Sequence, residues 1–203
     1  MRMTERDIEI LKFINEFGFC EMPQLEERFG FKTPRSYKVM QRLIKAELVV
    51  HERFLHNRPG VFYVTHRGAQ HTDLPPIIRV PLAAYQHQIT IIKAYFKLIH
   101  KFPDAKWISE RRMKHDKFQD GIGKRGHIAD GMLIFPDQKK IAIEIELSAK
   151  GKRRLTDIFR SYGTQHSVKE AWYFCAKTIM AQYLNLAGNK TFIKIHPLEE
   201  LIA

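Results

Sequence analysis

Apolar and polar positions change period along this chain, and each change outlines an element. From Glu5 onward Ile8, Leu11 and Ile14, joined by Phe13 and Phe17, recur at the spacing of one helix face. Thr4 and Asp7 stand three apart, as in a capping box with Asp in place of Glu or Gln, and Gly18 stops the helix. A second short helix runs through "PQLEERFG", with Pro23 in its first turn, Leu25 and Phe29 inward, and Gly30 at its end. The third, "TPRSYKVMQRLIKAE", opens at Thr33-Pro34 and turns Val39, Met40 and Leu43 to the core. It leaves Arg35, Ser36, Lys38, Gln41, Arg42 and Lys45 outside. Two β-rich runs follow, "LVVHERFL" and "VFYVT", and Pro59-Gly60 supplies the turn of a hairpin between them.

The helical pattern breaks at "THRGAQHTDLPPIIRVP", where Pro75-Pro76 disfavours helix. A linker is therefore expected at 73–80, between domains at 1–72 and 81–203. A long helix follows, with Ile89, Ile92, Tyr95, Phe96 and Ile99 on its apolar face. Next come a strand, "KWISERRM", a polar loop, "KHDKFQDGIGKRG", and a hairpin of "HIADGMLIF" and "IAIEIELSA" turned at "PDQKK". "KRRLTDIFRSYGTQ" reads as a helix with Leu155, Ile158, Phe159 and Tyr162 inward, "AWYFCA" as a strand, "TIMAQYLNLAG" as a helix and "TFIKIHPL" as a last strand. The fold class expected is α/β.

Charge narrows the partner. The chain has 34 Lys and Arg against 22 Asp and Glu, a net charge of +12, which points to a polyanion, most often nucleic acid. Residues 1–72 carry 12 against 9, and residues 73–203 carry 22 against 13, so most of the excess lies in the second part. No window reaches the length of a membrane span. The opening "MRMTERDIEILKF" is charged and helical, unlike a signal peptide. Two distant cysteines, Cys20 and Cys175, argue against a disulfide framework or a zinc site and fit the cytoplasm.

Against this basic background the acidic residues of one hairpin stand out. Glu144 and Glu146 lie two apart in an alternating run, so a strand points both to one face. Such a pair is tolerable if it is solvated, if it is matched by Lys or Arg, or if it holds a cation. A solvent-exposed strand face, with both glutamates paired to lysines and arginines of the next helix, is the plainest reading.

Three helices and a hairpin in this order resemble a winged helix-turn-helix. The resemblance implies that the third helix enters the DNA major groove, with Arg35, Ser36, Tyr37 and Lys38 nearest bases or phosphates. Arg42 and Lys45 would touch the backbone, and Arg53, His56 and Arg58 would lie along the wing. The element order of the second part resembles the core of the PD-(D/E)xK nuclease-like, or restriction-endonuclease-like, superfamily. Asp130 takes its Asp position and Glu144 its first acidic position, with thirteen residues between them. This implies a Mg²⁺ or Mn²⁺ site on Asp130, Glu144 and Glu146, with these residues and Lys150 as catalytic candidates. Two departures stand against it. Ala129 precedes Asp130 where proline is usual, and Glu146 replaces the lysine that helps activate water and stabilise charge on phosphate. Lys150, Arg153 or Arg154 would have to substitute, and Glu110 and His87 are further candidates for the cluster.

The two halves with the "AD…EIELSAK…RR…Y" pattern are similar to plasmid replication-relaxation proteins, which include mobilisation relaxases and their accessory factors. The family implies a DNA-binding accessory factor of a bacterial mobile element, working with relaxase or replication proteins. The resemblance also brings up Tyr162 as a nucleophile, although its spacing suits core packing. Two other functions remain open at this point: a metal-dependent nicking endonuclease, and a transcriptional regulator whose second domain senses a ligand or forms a homodimer.

Overall fold

The computed structural model describes residues 3–119 and 127–202. The chain is mixed α/β and divides into two compact units, Met1–Ile92 and Lys93–Ala203. The first unit begins with helix α1 (Glu5–Phe17), strand β1 (Cys20–Glu21), and helices α2 (Met22–Phe29) and α3 (Arg35–Lys45). Strands β2 (Val49–Glu52) and β3 (Val61–Val64) and the short helix α4 (His66–Ala69) complete it before a longer helix. The capping box forms: Thr4 N donates to Asp7 Oδ2 at 3.0 Å and Asp7 N to Thr4 Oγ1 at 3.2 Å. Ile10, Leu11, Ile14, Leu25, Met40 and Leu43 come together as the core.

The strands form an antiparallel sheet in the order β1-β3-β2. Strand β1 has no signature in the sequence. Two residues cannot show alternation, and Cys20 and Glu21 become a strand only by pairing with Phe62 and Val61.

The segment 73–80, read as a linker, is held to the first unit. Buried Asn15 of α1 donates to Thr72 Oγ1 at 2.8 Å and to the Leu74 carbonyl at 2.6 Å. Val80 packs with Tyr85 and Ile89 against Phe19 and Val61. The division between units therefore falls inside helix α5 (Tyr85–Lys101), not at the proline pair.

The second unit holds the rest of α5, then β4 (Lys106–Ser109), α6 (Glu110–Gln119), β5 (Gly131–Ile134) and β6 (Lys140–Glu146). It continues with α7 (Lys152–Thr164), β7 (Glu170–Cys175), α8 (Lys177–Ala187), β8 (Ile193–Pro197) and α9 (Leu198–Ile202). The five strands form one mixed sheet in the order β4-β5-β6-β7-β8. The first three run antiparallel, while β6, β7 and β8 run parallel through the crossovers of α7 and α8.

The strand expected through "KWISERRM" ends early, because Ser109 Oγ accepts a hydrogen bond from Arg112 N at 3.0 Å and starts α6. Part of the expected polar loop is thus helical, and its residues 120–126 lie outside the described ones. Along β6, Ile141, Ile143 and Ile145 line one face. Ala142, Glu144 and Glu146 line the other, which faces Leu155, Phe159 and Tyr162 of α7 and Tyr173 of β7. No helix among the described residues is long and apolar enough to cross a membrane.

Candidate functional site

Two groups of residues carry chemistry, one in each unit. On the first, α3 presents Arg35, Tyr37, Lys38, Gln41 and Lys45 to solvent, with no acidic side chain in the helix. Tyr37 is 49% exposed, unusual for a large aromatic. Lys38, Gln41 and Lys45 also line a groove of about 770 Å³ together with Arg67 and His71. Arg67 and His71 received no role from the sequence, because they sit in and after the four-residue helix α4, where no periodicity marks a face. Arg67 is partly engaged by Glu47 at 3.3 Å. In the β2–β3 hairpin Arg53, His56 and Arg58 are exposed. Arg53 Nε donates to the Arg58 carbonyl at 3.0 Å and Arg58 Nη2 to Gln86 Oε1 at 2.7 Å, which order the tip.

Of the residues expected on this surface, Ser36 is withdrawn from it, and Arg42, which also lines the groove, is tied down. Ser36 is buried rather than outside, and its hydroxyl donates to Glu26 Oε1 at 2.6 Å, tying α3 to α2. Arg42 turns a head nitrogen to Asp7 Oδ1 at 2.5 Å. Asp7 is fully buried, and burying a carboxylate is costly without such a partner. Arg42 thus holds α3 to the cap of α1. Helical spacing alone cannot separate these roles, since a polar residue at the edge of the apolar stripe can turn either way.

In the second unit Glu144 and Glu146 are buried, 1% and 3% exposed, so the solvated strand face expected for them does not exist. Their partners explain how they are tolerated. Glu144 takes the Tyr162 hydroxyl and the Nε2 side of His127 on the same oxygen. Glu146 takes the ammonium of Lys150, four residues on. Burial, with the Asp130 charge, pushes the Glu144 carboxyl above its usual range. The His127 and Tyr162 hydrogen bonds oppose that rise but do not cancel it.

Asp130, just before β5, uses Oδ2 to accept from Ile145 N at 2.8 Å and so extends the β5–β6 pairing. Tyr173 and Tyr183 fill the remaining space. The Tyr173 hydroxyl is buried with no hydrogen-bond partner among the described residues, and that of Tyr183 faces Glu146 outside hydrogen-bonding geometry. Burial and the Glu146 charge push the Cys175 thiol up to about 12, so it stays a thiol at neutral pH.

The structure therefore brings Asp130 and Glu144 into each other's field and gives Glu146 its own lysine. Among the described residues no three His, Cys, Asp or Glu side chains are grouped so as to hold a metal ion. Glu110 opens α6 and turns its carboxylate to Lys114 at 2.6 Å. His87 belongs to the first compact unit. Burial first, and then the Glu144 charge, push the Tyr162 hydroxyl far above its usual range, which suits a hydrogen-bond donor and not a nucleophile. His127 is the member of this cluster that the sequence did not single out. It precedes Asp130 by three residues, outside any strand, and only the fold sets it against Glu144.

No family model matches the chain, no curated protein matches it, and no solved structure matches it.

Proposed function

We propose that the chain is a sequence-specific double-stranded DNA-binding protein that reads DNA with α3 and grips the backbone with the β2–β3 hairpin. The observation that carries this reading is the face of α3. Arg35, Lys38, Gln41 and Lys45 are exposed without an acidic neighbour in the helix, while Ser36, Met40 and Leu43 anchor the opposite side. Three helices, a three-stranded sheet and a basic hairpin are the parts of a winged helix-turn-helix, in which such a helix fits the major groove. The groove lined by Arg67 and His71 offers further phosphate contacts beside it. An accessory role for a mobile element, in plasmid replication or conjugative DNA processing, rests on the likeness to replication-relaxation proteins.

A nicking activity on Mg²⁺ or Mn²⁺ has less support. It needs open oxygens, whereas Glu144 and Glu146 are held by His127, Tyr162 and Lys150.

Selection of duplexes from a random pool on the purified chain tests the DNA reading. A recurring motif is expected. Arg35→Ala and Lys38→Ala should each weaken binding to that motif by about 1–3 kcal/mol where the side chain meets a base in bidentate fashion, and less where it meets phosphate. Arg42→Ala should instead lower stability. No enriched motif, or two α3 variants that bind like the wild type, would reject the reading.

A further inference from the structure

The charge excess of the second unit finds no use in reading DNA with α3. Residues 93–203 hold 21 Lys and Arg against 12 Asp and Glu, and part of that excess collects at one place. Lys152, Arg153 and Arg154, consecutive at the start of α7, are exposed and line a cavity of about 700 Å³ with His127, Ile158 and Ser161. Among the described residues none of these three cationic heads has a hydrogen bond or an ion pair. Asp157 at the rim lies 3.5 Å from Arg160, so its charge is already partly answered.

The wall of this cavity is mostly apolar, with one fixed polar edge. His127 is held by buried Glu144, its side chain only 19% exposed, so its ring is fixed where it borders the opening. Ser161 commits its hydroxyl hydrogen to the Ile158 carbonyl at 2.8 Å, so the three cations are what an anion would meet here.

We propose that this cavity binds a backbone phosphate of nucleic acid. Lys152, Arg153 and Arg154 would supply the cations, while Ile158 and the arginine stems offer an apolar floor for the adjoining sugar. Guanidinium groups match phosphate oxygens in pairs, and the volume suits a nucleotide unit better than a lone ion. The inference rests on the DNA-binding reading for the class of partner and adds to it a site in the second unit. Duplex and single strand present the same phosphodiester, so the test carries both.

The full-length chain is titrated into a labelled duplex and into one of its strands, by fluorescence anisotropy, between about 50 and 200 mM salt. Three chains are compared: wild type, Arg35→Ala with Lys38→Ala, and Lys152→Gln with Arg153→Gln and Arg154→Gln. The triple variant should bind about tenfold more weakly or worse. Its salt slope should flatten by about 0.9 for each phosphate left without its cation on duplex, or about 0.7 on single strand. The probe on which the weakening is seen names the source of the phosphate.

A charge-keeping control, Lys152→Arg with Arg153→Lys and Arg154→Lys, should retain the slope, which separates the removal of charge from disturbed packing. If the triple variant keeps the wild-type slope on both probes while the α3 variant loses affinity, this inference falls and the DNA-reading helix stands. If the triple variant loses affinity and the α3 variant does not, the cavity stands and the assignment of α3 falls. A wild-type chain that binds neither probe overturns both.

Discussion

A buried carboxylate is a question that each partner answers differently. Glu146 takes an ammonium, Asp7 a guanidinium, and Glu144 a histidine ring and a phenol, and the last arrangement leaves a titration signature. Because burial raises Glu144 above its ordinary value of 4.5, the folded chain binds that proton more tightly than the unfolded one. The stabilisation is complete below the ordinary value and is lost as pH rises through the raised one. Urea unfolding followed from acid to neutral pH should thus show a decline in the wild type. Glu144→Gln, which can still accept from Tyr162, should flatten it. An unchanged profile in the variant would mean that Glu144 is not the titrating group.

At the scale of elements, two glycines separate backbone strain from crowding. Gly30 ends α2 at φ +63°, with nothing within 4 Å of where a Cβ would sit. Gly30→Ala should cost about 1 kcal/mol, the strain of a left-handed residue alone. At Gly68, in α4, a Cβ would stand 2.0 Å from the Leu48 carbonyl oxygen. That oxygen also accepts from Thr65 N at 3.1 Å, and backbone cannot easily give way. Gly68→Ala should cost about 3 kcal/mol, at the upper end of overpacking. Equal losses in chemical denaturation would show that α4 is looser against β2 than its close approach implies. The same approach places Arg67, so the groove beside α3 depends on this glycine as well as on the side chains that line it.

For the molecule as a whole, the first unit extends past the proline pair into the first part of α5. Tyr85 is 3% exposed, and its hydroxyl donates to buried Glu21 Oε1 at 2.6 Å, bringing α5 to the β1 strand. Tyr85→Phe leaves that carboxylate short of a donor at nearly constant volume and should destabilise the unit by about 1–3 kcal/mol. Thermal unfolding of the full chain measures it. No loss would mean that residues 73–92 are an appendage and that the first unit ends near residue 72.

Much of the local structure follows from sequence alone. The Thr4–Asp7 cap, the apolar stripes of α1 and α7, the hairpins and the stop at Gly18 are set by contacts within a few residues, where periodicity and backbone preference suffice. The shared face of Glu144 and Glu146 was equally legible, because alternation in a strand is geometric. What lies on that face was not. Whether a polar side chain is solvated or buried depends on what packs over it. Lys150 meets Glu146 from four residues on, but His127 and Tyr162 reach Glu144 only when β6, α7 and the segment before β5 are assembled. Ser36 is turned inward, and one nitrogen of the partly exposed Arg42 is drawn to Asp7, for the same reason. Sequence spacing says which side of an element a residue occupies, and tertiary structure alone decides whether water or a partner waits there.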